Sequence, residues 1–202
     1  LGWEVIDLKE IKVSRKTRET EIELLLKVNG SGETEIITPL SFFNHMLEAF
    51  ARHARFDLKI KASGDIQVDP HHLIEDTGIC LGKAVREYYA GRTGICRSGC
   101  FAFPMDDALA LAAVDLSGRS YLVFDPDAPD ATINNFRLKD LKEFFAGFTN
   151  EARANLHVLI FRGENPHHIY EAIFKAFGRA LDEALSEHPR ERNIPSTKGR
   201  IE

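Results

Sequence analysis

Two short stretches carry side chains able to grip a metal ion: His71-His72-Leu73-Ile74-Glu75 and His167-His168-Ile169-Tyr170-Glu171. Each follows a polar residue and a proline, Asp69-Pro70 in the first and Asn165-Pro166 in the second. Asp or Asn at an N-cap with Pro at the first helical position marks a helix start. Both histidine pairs are therefore predicted in a first helical turn. Successive residues there are rotated by about 100°, so positions i and i+4 share a face while i+1 points aside. His71 and Glu75 can hold one ion while His72 looks toward another; the same holds for His167, Glu171 and His168. Imidazole with carboxylate suits Mn, Fe, Co, Ni or Zn, and the lack of thiolate ligands argues against a closed structural zinc site. Two-metal chemistry is the expectation.

The elements that must position these residues are themselves repeated. His71 and His167 are 96 residues apart (167 − 71), close to half of the 202-residue chain. Upstream, 43–50 aligns with 141–148 and 54–58 with 152–156, at an offset of 98. A turn at 63–68, longer than its counterpart at 162–164, accounts for the change of offset. Each half reads as strands, helix, strand, helix, and internal repeats of this kind define an architecture. The pattern predicts strands at 21–28, 56–62, 101–103, 109–115, 121–124 and 155–161, and helices at 41–54, 70–90, 138–153 and 166–185. An α+β fold follows, a tandem duplication with four helices packed between two four-stranded sheets. Residues 1–92 form the first half, 93–190 the second and 191–202 a tail, with both halves in one compact domain.

The duplication extends the ligand set. His45 lies on the helix before the first motif, and its counterpart is Glu143. One site is then His45, His72, His167 and Glu171, and the other Glu143, His168, His71 and Glu75. Because the paired histidines diverge, both sites are expected to be shared between subunits. Glu143 has an alternative reading as a solvated helix residue, which would leave the second site depleted.

Composition narrows the function classes. A net charge of −5 supplies no basic surplus to displace counterions from nucleic acid. Three cysteines (Cys80, Cys96 and Cys100) in a chain of this size suggest reduced thiols. The N-terminus has no basic-then-apolar pattern, and the apolar run at 108–114 is too short to cross a bilayer. A soluble cytoplasmic protein is expected. A dinuclear hydrolase and a metal-storage shell both remain compatible with the motifs, although alternating strands fit a ferritin-like bundle poorly.

Specific motifs go further. Arg18-Glu19-Thr20, Phe43-Asn44-His45-Met46-Leu47, both histidine motifs, Asp115-Leu116-Ser117-Gly118-Arg119, Gly163-Glu164-Asn165 and Pro195-Ser196-Thr197-Lys198-Gly199 occur in order along almost the whole chain. This series resembles the imidazoleglycerol-phosphate dehydratases, lyases of histidine biosynthesis. The resemblance implies a ribosomal protein S5 domain 2-like fold, two Mn ions per active site and a 24-subunit homo-oligomer with shared sites. It implies dehydration of imidazole glycerol phosphate to imidazole acetol phosphate, with the ions favouring the substrate imidazolate. By the same resemblance Glu19 is the candidate acid/base, with His53 assisting. Arg97, Arg119, Lys175, Ser196, Thr197 and Lys198 bind phosphate or substrate, beside His45, His71, Glu75, His167 and Glu171. Arg97 and Arg119 occur beside glycines in turn-like segments, where a guanidinium can fork onto phosphate oxygens. Against the family's usual pattern, Asn44 replaces Asp, Asp107 replaces Glu, Ser98 replaces an aromatic residue and Glu143 replaces a ligand histidine.

Overall fold

The computed structural model describes residues 10–125, 127–134 and 136–201. Residues 1–9 of the predicted first half and residue 202 of the tail lie outside the described residues. The first half contains β1 (Ile11–Lys16), β2 (Thr20–Lys27), β3 (Thr34–Ile37), α1 (Ser41–Ala54), β4 (Asp57–Gly64) and α2 (His71–Tyr89). The second contains β5 (Ser98–Met105), β6 (Ala108–Asp115), β7 (Tyr121–Phe124), a small hairpin of β8 (Thr132–Ile133) and β9 (Phe136–Arg137), α3 (Leu141–Ala152), β10 (Asn155–Arg162) and α4 (Pro166–Leu185). The predicted helix at 138–153 opens as a 3-10 turn over Leu138–Asp140 before α3 begins.

The sheets have the same topology. Their strand orders are β1-β2-β4-β3 and β5-β6-β10-β7, and in each the first two pairings are antiparallel and the third parallel. The edge strands β1 and β3 were not anticipated individually. Both are short and half-polar, with few inward apolar residues to set a period of two.

Two details show how closely the halves agree. The helices α1 and α3 both end on an arginine in the left-handed region, Arg55 at φ 57° and Arg153 at φ 51°. The chain then turns into the strand through Phe56 N–H to Ala51 C=O (3.0 Å) and Ala154 N–H to Thr149 C=O (3.2 Å). The second detail concerns helix approach. A Cβ on Gly82 of α2 would stand 2.5 Å from the Phe148 carbonyl oxygen of α3, and one on Gly178 of α4 would stand 2.5 Å from that of Phe50 of α1. Phe50 and Phe148 are themselves 98 apart, so the same backbone contact occurs twice.

The helices form the layer between the sheets. Fully buried phenylalanines fill it, with Phe50 stacked on Phe177 at 5.0 Å and Phe148 edge-on to Phe177 at 4.9 Å. Burying such side chains drives the two sheets together across the helices. The close α1–α4 approach brings the N-terminal ends of the two helices side by side, and there His45 meets His167 and Glu171.

Candidate metal centre and substrate pocket

The start of α4 is built as its sequence requires. Asn165 Oδ1 accepts the His167 N–H at 2.9 Å, with Pro166 at the first helical position. His167 Nε2 then lies 3.3 Å from Glu171 Oε2 one turn on. From α1, His45 Nε2 reaches the same oxygen at 3.6 Å. The three ligand atoms lie within 4.8 Å of one another. Phe42 packs edge-on against the His167 ring at 5.2 Å and limits its rotation.

Glu171 is buried, only 8% exposed, and its other oxygen takes the Lys175 ammonium at 2.7 Å. Burial alone would push this carboxyl up. The Lys175 hydrogen bond and the charges of Lys175, His45 and His167 outweigh burial and hold it below its usual value. The group therefore stands ready as an anion, with Oε2 aimed at two imidazoles. A divalent cation fits such a donor set, with positions left for further ligands.

The start of α2 repeats the plan. Asp69 accepts the His71 N–H at 2.8 Å, and His71 Nε2 lies 3.7 Å from Glu75 Oε2. Glu143 sits one helical turn before Gly147, which packs on the Glu75 backbone. Among the described residues, His45, His167 and Glu171 are the group of three that converges; Glu143, His71 and Glu75 are not drawn together to the same degree.

The second histidine of each pair turns away, as the helical rotation requires. The His71 and His72 rings are 5.9 Å apart at 89°, and those of His167 and His168 are 6.1 Å apart at 75°. His72 Nδ1 faces Asp65 at 3.2 Å and Glu19 at 3.9 Å. His168 Nδ1 faces Asp107 at 2.5 Å. These hydrogen bonds raise the pKa of both imidazoles. Neither histidine joins the triad of its own chain.

Glu19 rides on the tip of the β1–β2 hairpin. Thr17 Oγ1 accepts the N–H groups of Glu19 (3.0 Å) and Thr20 (2.9 Å), and Thr20 in turn donates to the buried Asp76 at 2.5 Å. The tip is thus pinned to α2 one residue beyond Glu75. His53 packs against Phe103 at 4.8 Å, and Lys175 lies over the same ring. Burial, then Lys175 and Arg179, push the His53 pKa down and favour its neutral form.

Most of the predicted phosphate ligands converge elsewhere. Arg97, Arg119, Ser196, Thr197 and Lys198 line one pocket of about 150 Å³, joined by Ser117 and Arg200, which sequence reasoning did not single out. Arg97 has φ 69°. Its guanidinium forks onto Asp115 (2.8 and 3.1 Å), and Nη1 donates to the Pro195 carbonyl at 2.7 Å, tying the tail to the pocket. Lys175 lies with Glu171 rather than in this pocket. Cationic forks and hydroxyls around a small cavity suit a phosphoryl group.

A model of imidazoleglycerol-phosphate dehydratase matches residues 38–181. The chain belongs to the imidazoleglycerol-phosphate dehydratase family. It is 46% identical to the enzyme of Desulfitobacterium hafniense over 194 residues, covering 96% of this chain and 99% of the relative. It is 48% identical to that of Bacillus subtilis over 187 residues, covering 93% and 96%. The fold agrees with the crystal structure of the Staphylococcus aureus enzyme at a TM-score of 0.80 and 34% identity, over 89% of this chain and 100% of that one. It agrees equally, at 0.80 and 38% identity, with the Pyrococcus furiosus enzyme in complex with (S)-C348, over 94% and 100%. The chain is thus a metal-dependent lyase that dehydrates imidazole glycerol phosphate to imidazole acetol phosphate in histidine biosynthesis.

Proposed function

We propose that this dehydration runs on two Mn ions per active site, held by His45, His72, His167 and Glu171 in one set and by Glu143, His168, His71 and Glu75 in the other. The convergence of His45, His167 and Glu171 within 4.8 Å carries this reading. Two imidazoles and a pre-ionised carboxylate fit a borderline divalent cation, and Lys175 offsets the buried negative charge. Bound there, the cations supply Lewis acidity that favours the ionised form of the substrate imidazole.

The chain's own groups do the rest. Glu19, held on a hairpin tip anchored through Thr17 and Thr20, serves as the acid/base that moves the proton during loss of water, and neutral His53 assists. Arg97, Arg119, Ser196, Thr197 and Lys198 hold the phosphate, and Lys175 keeps Glu171 ionised.

The outward turn of His72 and His168 supports sites closed by a neighbouring subunit. The outer face of the second sheet supports assembly. Leu159 (40% exposed) and Phe161 (57%) stand where the first half has Lys61 and Ser63, and Tyr121 extends the patch. An apolar patch of this kind marks a contact surface. We read the product as a 24-subunit cytoplasmic shell; the unpaired cysteines suit a reducing compartment. Anomalous scattering from crystals grown with Mn tests the ligand sets directly. Two peaks per active site, each bridging two subunits, are expected, and peaks absent from the His45–His167–Glu171 cluster would overturn the assignment.

A further inference from the structure

The two turned-away histidines share one feature that their sequence surroundings do not. Each presents Nδ1 to an aspartate, but the aspartates come from different loops. Asp107 sits on the tip of the β5–β6 hairpin, where its carboxylate is itself immobilised. Its Oδ2 accepts the N–H groups of Glu164 (2.6 Å) and Asn165 (3.0 Å), and its Oδ1 faces His168 Nδ1 at 2.5 Å. By the duplication the equivalent tip in the first half is the β1–β2 hairpin, which carries Glu19. Glu19 stands 3.9 Å from His72 Nδ1, beyond hydrogen-bond reach. Asp65 takes the position instead, at 3.2 Å, from the turn after β4. Its own N–H is fixed to the Glu19 carbonyl at 3.0 Å. That turn is the one whose extra length shifts the repeat offset from 98 to 96.

We propose that Asp107 and Asp65 are positioning residues that hold His168 and His72 in the Nδ1–H tautomer, so that Nε2 of each is the ligating atom. The added length of the first-half turn supplies the orienting carboxylate, which leaves the hairpin-tip position free for Glu19 to meet substrate. This rests on the ligand sets proposed above. A carboxylate that accepts from a ligand imidazole fixes both its tautomer and its ring direction, and its loss typically weakens metal binding by about 10- to 100-fold. The predicted failure is specific. In Asp107→Asn the amide oxygen is retained by the Glu164 and Asn165 N–H groups, so the amide N–H₂ faces Nδ1 and drives the ring proton to Nε2.

The test is Mn affinity of the metal-stripped protein, measured by competition with a chelator, for the parent, Asp107→Asn, Asp107→Glu, His168→Ala and Asp107→Asn/His168→Ala. Asp107→Asn is expected to lose about 10- to 100-fold, with Asp107→Glu recovering most of it. The double variant is expected to bind no more weakly than His168→Ala alone, because Asp107 acts through that ring. If His168→Ala weakens Mn binding but Asp107→Asn does not, the positioning role falls and the ligand sets stand. Affinity losses in the two single variants that simply add also overturn it, since they place the effect of Asp107 in the loop rather than the histidine. Parental affinity in His168→Ala overturns the ligand set itself. Asp65→Asn with His72→Ala repeats the test for the first half.

Discussion

Gly178→Ala tests whether backbone contact between helices sets the metal site. On an exposed helix face, alanine in place of glycine stabilises by about 1 kcal/mol. At Gly178 the new Cβ would stand 2.5 Å from the Phe50 carbonyl oxygen and 3.1 Å from the Ala54 nitrogen. That is roughly 1 Å inside the ~3.5 Å at which non-bonded heavy atoms rest. Both obstructing atoms are backbone, so no rotamer change relieves them and α1 must move from α4. Overpacking of this kind costs about 1–3 kcal/mol. With the upper end partly offset by helix propensity, a net loss of about 2 kcal/mol is expected, roughly 30-fold in the folding equilibrium. Gly82→Ala meets the matching contact with Phe148 and is expected to lose a similar amount. Urea unfolding of metal-free protein at one fixed concentration, with unchanged slope, measures both. Both variants should also respond less to added Mn, since Gly82→Ala separates Glu143 on α3 from His71 and Glu75 on α2. His45 rides on α1, so Gly178→Ala carries it away from Glu171, and the stabilisation gained at a given Mn concentration should shrink. A Gly178→Ala protein as stable as the parent would refute the claim that these helices touch through their backbones.

Two further perturbations separate substrate binding and folding. Arg97→Ala removes the fork onto Asp115 and the tie to Pro195, so KM should rise at least tenfold with Mn content unchanged; parental kinetics count against a role in holding phosphate. Asp57 closes the 30–33 turn, accepting from Ser31 N–H (2.7 Å) and Glu33 N–H (3.1 Å) and pairing with Lys27 (3.2 Å). Burial would raise its pKa, but these partners outweigh burial and lower it. The folded value lies below the unfolded one, so the stabilisation is present above about pH 4 and lost as pH falls through the folded value. Asp57→Asn should cost about 1–2 kcal/mol at pH 7. The gap in urea midpoint should close in acid; a constant gap from pH 7 to pH 3 would sink this account.

What could be read from the chain followed physical periodicity. The helices α1 and α4 were predicted with their observed limits, α1 from apolar spacing alone and α4 because apolar spacing and the Asn165-Pro166 start signal agree. The edge strands β1 and β3 escaped because polar and charged residues (Lys12, Ser14, Arg15 and Lys16; Thr34 and Glu35) blur their alternation, whereas the equally short edge strand β7 is apolar throughout and was read. The grouping of His45 with His167 and Glu171 was legible from repetition, which set His45 against the second motif; His72, assigned to the same set, does not converge with them in one chain. Asp107 lies 61 residues from the histidine it orients and obeys no helical spacing, so nothing local marks that role. The i+4 spacing of Glu171 and Lys175 gave a shared helix face, and their contact is an ion pair there rather than membership of the phosphate pocket.

The scaffold is symmetric, but its chemistry is not. Position 175 aligns with Ile79, so Glu75 has no ammonium on its own helix to match the one that Glu171 has. Lys175 occupies Oε1 of Glu171 and leaves Oε2 toward the imidazoles, which favours single-oxygen ligation there. Ile79 imposes no such restriction on Glu75. His45 is matched by Glu143, so the first proposed set has three imidazoles and one carboxylate, screened by Lys175, while the second has two imidazoles and two carboxylates. The second proposed set is the more negative and the harder, and a divalent ion there would be held more by charge than one in the first. The duplicated fold thus provides two equivalent positions, and the differing pairs His45/Glu143 and Lys175/Ile79 make them unequal.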